Sequence, residues 1–375
     1  MNRPLSVLAV VLLALCIGSA ASAAGFGDDI LAGMNLGAEE VEALEERLGS
    51  NPHDLQARGQ LIVYYHAKSF RDAGSRRIHA DHVLWMIRNA PDADFLAAPH
   101  AKVDPVMNPE GYFAGKFAWN DHLEQEPTDA TVVGNAANFF SEFQDREAVI
   151  ETLQKAKSLD PHNPKWPTLL GHVYLRVASF SRQLDAIAPL PEGLDADSPH
   201  LPDGLAGLFE QPRPEGSSTA TLALEEFERA YELTGDLERP HLRGSLAKAA
   251  FDAERYDDAR AYATTMLDDA TSGWDQGNQL HHGNLILGRI ALLQDDVAQA
   301  KYHLLEAGGV SGSPQLNSFG PNMRLAADLL ELGERDVVLA YFELCANFWP
   351  RDELKDWAAL VEAGQTPDFG ANLVY

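Results

Sequence analysis

Cysteine is nearly missing from this chain: Cys16 and Cys345 are the two in 375 residues. Cys16 lies in a leader-like N-terminus, so removal of that segment would leave Cys345 alone and exclude an intramolecular disulfide. Basic residues are also scarce, with 29 Lys and Arg against 56 Asp and Glu, a net charge of −27. That balance argues against nucleic acid or an anionic membrane as the main partner, since both need a basic footprint. Long apolar runs are missing too. The N-terminal run from Leu5 to Ile17 has 13 residues, too few to span a bilayer, so no integral membrane segment is expected once it is removed. No asparagine stands in an Asn-x-Ser/Thr sequon.

Catalytic and cofactor signatures are lacking as well. The chain has no glycine-rich phosphate loop, no Gly-x-Ser-x-Gly elbow, no His-Glu-x-x-His zinc helix and no cysteine pair. We therefore expect no enzyme activity, no metal and no cofactor. The nearest metal-like groupings are His79-Ala80-Asp81-His82 and His281-His282. Helical spacing instead predicts His82 in a core beside Trp85 and His79 facing solvent. Cys345 falls on a packing position, where a thiol is inert.

What is present begins with a targeting pattern. Arg3 supplies a positive charge, the apolar run follows, and Ala21-Ser22-Ala23 offers small residues for cleavage before Ala24. The expectation is an exported protein, periplasmic or secreted, with the missing sequons favouring a bacterial source. Leu15 is a poor residue ahead of a lipidated cysteine, so lipoprotein anchoring at Cys16 is not expected.

Helical periodicity dominates the remainder. Val41, Leu44 and Leu48 share one face before Gly49 and the Asn51-Pro52 turn. Asp54 can cap a helix reaching Ser69, and a partner helix from about Ser75 to Asn89 carries Ile78, His82, Trp85 and Met86. Between Asp92 and Pro127, Pro99, Pro105 and Pro109 break the pattern. Tyr112, Phe113, Phe117 and Trp119 then predict a short aromatic helix packed on its neighbours.

The strongest pattern lies between Ala130 and Ser179. Ala136-Ala137-x-x-Phe140 is echoed by Leu170-Gly171-x-x-Tyr174 after 34 residues, with Val149, Leu153 and Ala156 between them. A small residue in a first helix, followed by packing residues 12, 16 and 19 positions later, recurs downstream. The sets are Ala247, Ala259, Ala263 and Met266; Gly288, Ala300, Leu304 and Ala307; and Ala326, Val338, Phe342 and Cys345. For Gly171 the partners Ala223, Phe227 and Ala230 arrive 40 residues late. The intervals of 41 and 38 residues between the later sets exceed 34, so the loops are lengthened.

This pattern resembles the tetratricopeptide repeat family over about Ala130 to Trp349, less the insertion described below. The family's early tryptophan has only Trp166 as a near match. The resemblance implies an all-α fold: a right-handed solenoid of antiparallel helical hairpins, TPR-like, with a proline-rich insertion. The expected organisation is a signal peptide over 1–23, an N-terminal hairpin and connector over 24–127, the array over 128–349, and a capping helix with tail over 350–375. The insertion, 179–218, holds Pro189, Pro191, Pro199, Pro202, Pro212 and Pro214 and cannot be one helix.

In that family the first helices line a concave peptide-binding groove, and the residue after the small one tends to face it. Here that column reads Asn138, His172, Lys248, Arg289 and Ala327, with Lys165, Arg176, His241 and His282 nearby. A basic-leaning column on so acidic a chain suggests recognition of an acidic or carboxylate-bearing segment of a protein or peptide partner. Two alternatives stay open: an enzyme or small-molecule binder with the insertion as lid, and a structural envelope or self-assembling component. Ser313 to Asn322 is polar and turn-forming, and its composition predicts a helix beginning near Pro321, with anion binding at that N-terminus a further option.

Overall fold

The computed structural model describes residues 30–125, 127–141, 146–187, 216–270 and 273–373. The leader, including Arg3, Cys16 and the Ala21-Ser22-Ala23 site, lies outside them, as do the six prolines of the insertion. Among the described residues the chain is all-helical, with no strand, and no described helix is long and apolar enough to cross a membrane. The chain divides into two compact units, Met1–Leu170 and Gly171–Tyr375.

The first unit holds α1 (Ala38–Ser50), α2 (Leu55–Ser69), α3 (Ala73–Asn89), α4 (Pro109–Glu124), α5 (Ala130–Phe140), α6 (Arg146–Leu159) and the start of α7 (Lys165–Ile187). Sequence chemistry starts several of these helices. Asp54, Asp72, Asn108 and Asp129 each accept a hydrogen bond from a first-turn amide, satisfying donors that a helix start leaves over. Short 3₁₀ turns at Asp94–Ala97 and Pro99–Ala101 connect α3 to α4. They are tied to α5 by two carboxamides. Asn135 Nδ2 donates to the carbonyls of Pro91 and Ala93, and Asn138 Nδ2 donates to those of Leu96 and Ala98. Close packing uses glycine: a Cβ on Gly115 would lie 2.5 Å from the Phe139 ring, and one on Gly134 would lie 2.3 Å from Trp166.

Helix α4 corrects one expectation. Tyr112 and Trp119 are buried, but Phe113 is 53% exposed and Phe117 68%. Tyr112, Gly115 and Trp119 form the inward stripe of a 3.6-residue period, which turns Phe113 and Phe117 to the opposite face.

The second unit contains the rest of α7, then α8 (Gly216–Leu233), α9 (Arg243–Asp252), α10 (Tyr256–Asp269), α11 (Gln276–Leu293) and α12 (Val297–Gly308). After these come α13 (Pro314–Phe319), α14 (Arg324–Glu331), α15 (Arg335–Cys345) and α16 (Asp352–Glu362). Helix α7 continues to Ile187 and α8 starts at Gly216, so both ends of the span assigned to the insertion, 179–187 and 216–218, are helical. The late partner Phe227 on α8 does reach α7: its ring lies 2.8 Å from where a Gly171 Cβ would be.

Three helix pairs of this unit share one turn design. Glu254 (φ 61°), Asp295 (φ 59°) and Gly333 (φ 82°) each take a left-handed conformation just past a first helix, seven residues after Ala247, Gly288 and Ala326 respectively. In each turn the next amide reaches back five residues: Arg255 to Ala250 O, Asp296 to Ala291 O, and Glu334 to Leu329 O. This pairing closes carbonyls that the helix end leaves open.

The packing residues that follow those turns are buried, among them Ala259, Ala263, Met266, Ala300, Leu304, Ala307, Val338, Phe342 and Cys345. A large cluster joins α11, α12 and α14–α16 with the C-terminal segment through Tyr341, Phe342, Trp349, Trp357 and Phe369. The chain end is pinned there, because Asn372 O accepts from Met323 N and its Nδ2 donates to Pro321 O. A helix beginning near Pro321 is not observed. Ser313 caps α13, which ends at Gly320, and α14 starts at Arg324.

Candidate functional site

In the second unit, the first helices of three successive pairs, α9, α11 and α14, bring part of the basic column together. Arg289 on α11 lies with its Cζ 4.2 Å from the Phe251 ring centroid on α9. Its Nε is 3.3 Å from Asp328 Oδ2 on α14, and Arg324 Nε is 3.2 Å from Asp328 Oδ1. Lys248 Nζ is 3.4 Å from Asp252 Oδ2, a carboxylate whose side chain is only 4% exposed. His282, on the same helix as Arg289, feels Lys248: burial pushes its pKa down to about 4, Asp275 opposes that and Lys248 adds to it. The cations therefore alternate with aspartates, and the face is a half-buried charge ladder around an Arg–Phe stack.

The other column residues sit differently. Asn138 is engaged by the Leu96 and Ala98 carbonyls in the first unit. Lys165 is pressed over Trp166, 4.8 Å from the ring centroid, and burial lowers its pKa against the pull of Asp94. His172 meets the Phe227 ring edge-on at 4.8 Å, and burial pushes its pKa down to about 4. Arg176 is exposed. His241, also exposed, stacks on Trp274 at 6.2 Å.

The two histidine groupings are structural. The expected exposure of His79 is overturned: it is 3% exposed, and its Nε2 donates 2.7 Å to the His100 carbonyl. The reason is α4 and the 3₁₀ turns, which cover the side of α3 that a lone hairpin would leave wet. His82 is buried, with Nδ1 3.1 Å from Arg58 Nη1 and Nε2 3.2 Å from Glu45 Oε1. A guanidinium only donates, so Nδ1 accepts and Nε2 carries the proton. Arg58 in turn lies 3.7 Å over Trp85. His281 donates from Nδ1 to Ala307 O and accepts at Nε2 from Asn322 N–H, so neither nitrogen is open to a metal. Among the described residues no group of three or more His, Cys, Asp or Glu is placed to hold one. Cys345 is fully buried, which pushes its thiol pKa up.

Sequence reasoning missed a different grouping in the first unit. The rings of His66 and His79 are 5.3 Å apart, and those of His66 and His100 are 5.1 Å apart. A cavity of about 50 Å³ beside them is also lined by Arg76 and Lys102. These residues come from positions 66 to 102, and no local periodicity joins them. The one available signal was charge: Lys68, Arg71, Arg76 and Arg77 stand against a single carboxylate, Asp72, between positions 68 and 77 of an acidic chain. Compared with known proteins, the chain matches no family model and no curated protein.

Proposed function

We propose that the chain is an exported helical-repeat scaffold, TPR-like in its second unit, that binds a segment of a protein partner along the α9–α11–α14 face. The supporting observation is the posture of Arg289. Its guanidinium is packed on Phe251, paired with Asp328 and still 28% exposed. Such a side chain has already lost its rotamer freedom, so a partner carboxylate would meet a preformed fork with little further ordering cost. Lys248 and Arg324 flank it, and Asp328, at 24% exposure, sets where the partner must be positive or neutral. The preferred segment is thus one carrying a carboxylate amid uncharged or mixed residues, a narrower class than any acidic peptide. Export rests on the leader pattern of the first 23 residues.

The test is affinity capture from envelope extracts with wild type and with Lys248→Glu/Arg289→Glu, after circular dichroism shows both folded. Loss of a specific partner from the variant supports recognition through this face. An identical partner set rejects it.

A further inference from the structure

From the cavity beside the α2–α3 turn we infer a second, independent site: a pocket for a small tetrahedral oxyanion of the phosphate class, held by Arg76, Lys102 and His66. Three observations converge on it. The cavity is about 50 Å³, and a single water needs about 10–15 Å³ by the same kind of measure, so the space suits an ion of a few heavy atoms. Its cations are fixed in place. Arg76 donates from Nε to Ser69 O at 2.9 Å and from Nη1 to Met107 O at 3.3 Å. Lys102 Nζ donates to Ser141 Oγ at 2.5 Å. Arg76 thus bonds to backbone carbonyls, and the nearby Asp72 carboxylate, which feels its charge, is itself engaged by the Ser75 amide as a helix cap.

The surrounding charge points the same way. Asp104 is the one carboxylate lining the cavity. It is exposed, and its Oδ1 is taken by the amides of Val106 and Met107 at 2.7 and 2.8 Å. Lys68 and Arg71, with the one carboxylate Asp72, line an adjoining open depression that shares Phe70 with the cavity. On a chain of net charge −27, a rigid half-buried pair of cations beside a depression with two cations and one carboxylate is an arrangement that draws an anion in. The imidazole complements them. Burial, with His79 and His100 adding to it, pushes the His66 pKa down to about 3. The ring therefore offers a neutral N–H donor, and a bound anion would raise its proton affinity.

The test is titration of the full chain with inorganic phosphate at pH 7 and constant ionic strength, followed by calorimetry and by the histidine ring NMR signals. Saturable binding is expected, with shifts confined to the His66, His79 and His100 rings. Arg76→Gln and Lys102→Gln should each weaken binding about tenfold or more, while Lys355→Gln on the second unit leaves it unchanged. Acetate, which is planar, should bind more weakly. Phenyl phosphate separates sources: if it competes with phosphate, the pocket accepts a phosphate carried on a larger molecule, and if it does not, the pocket takes the free ion. Absence of saturation, or saturation without movement of those three rings, overturns the site. The ring signals of the wild-type chain decide this even if a variant fails to fold.

Discussion

Leu325 occupies the space that Gly288 leaves open: a Cβ on residue 288 would lie 2.4 Å from Leu325 Cδ2 and 3.1 Å from the His303 Cβ. One missing methyl group thereby lets α11, α12 and α14 meet. Interiors packed this tightly resist added volume, so Gly288→Leu is expected to cost about 1–3 kcal/mol. A urea melt should show the midpoint falling. Gly49, which has nothing within 4 Å of its absent Cβ, is the control. Gly49→Ala should be neutral or stabilise by up to about 1 kcal/mol. If Gly288→Leu leaves the midpoint unchanged, the packing register is wrong.

The repeated left-handed turn makes a second prediction. Glu254 holds a positive φ of 61°, which costs a residue with a Cβ roughly 1 kcal/mol relative to glycine. Glu254→Gly should therefore raise stability by about that amount, and Asp295→Gly by less, because aspartate tolerates this conformation better. Gly333→Ala should lower it. Thermal denaturation of the three variants, compared with wild type, reads the order directly.

Stability should fall on mild acidification. Burial pushes His281 down to about 3, with His282 adding to it and the bond to Ala307 O opposing. Folded His281 thus stays neutral while the unfolded side chain takes up a proton below about 6.5. The folded state has its full advantage above that pH and loses it progressively as pH drops toward 3. For His281 alone the loss is about 2 kcal/mol between pH 6.5 and 5. His79, His172 and His282, each pushed down to about 4, act in the same direction. His281→Phe should be less stable at pH 7 by about 1–3 kcal/mol, since Asn322 N–H and Ala307 O lose their partner. Its stability should also depend less on pH. Equal slopes for variant and wild type would refute this.

The Arg289–Asp328 pair is half-buried, at 28% and 24% exposure, so its coupling should be modest. A double-mutant cycle with Arg289→Ala and Asp328→Ala is expected to give about 0.5–1 kcal/mol. Arg289→Ala should cost more than Asp328→Ala, because it also strips the guanidinium from the Phe251 ring. A coupling near zero would mean that Asp328 does not hold Arg289 in place, and the preformed fork would lose its basis.

Much of the helical layout was legible because amphipathic spacing and capping are local. Asp54, the Asn51-Pro52 turn and the stripe Val41–Leu44–Leu48 need only a few residues of context. The same holds for Ala247, Gly288 and Ala326: small residues at a fixed offset from buried ones announce where two helices approach. The candidate face was partly legible for that reason, since the register pointed to Lys248, His282 and Arg289. Their aspartate partners were not. Asp328 sits 39 positions beyond Arg289, and only packing of α14 on α11 brings it there.

Tertiary structure decided the fate of the polar side chains. His79 carries the same helical spacing whether it faces water or the His100 carbonyl, and coverage by the 3₁₀ turns made the difference. Phe113 and Phe117 were misjudged because composition counts aromatics without assigning them to a face. The cavity of His66, Arg76 and Lys102 belongs to three separate segments. By itself the sequence determined an all-helical chain, the register of its close approaches and an acidic surface with one basic stretch, because each follows from local period or from counting charge. Which histidines are buried, which cations are paired and where a pocket opens were decided by folding, because burial and pairing are properties of contacts between distant residues.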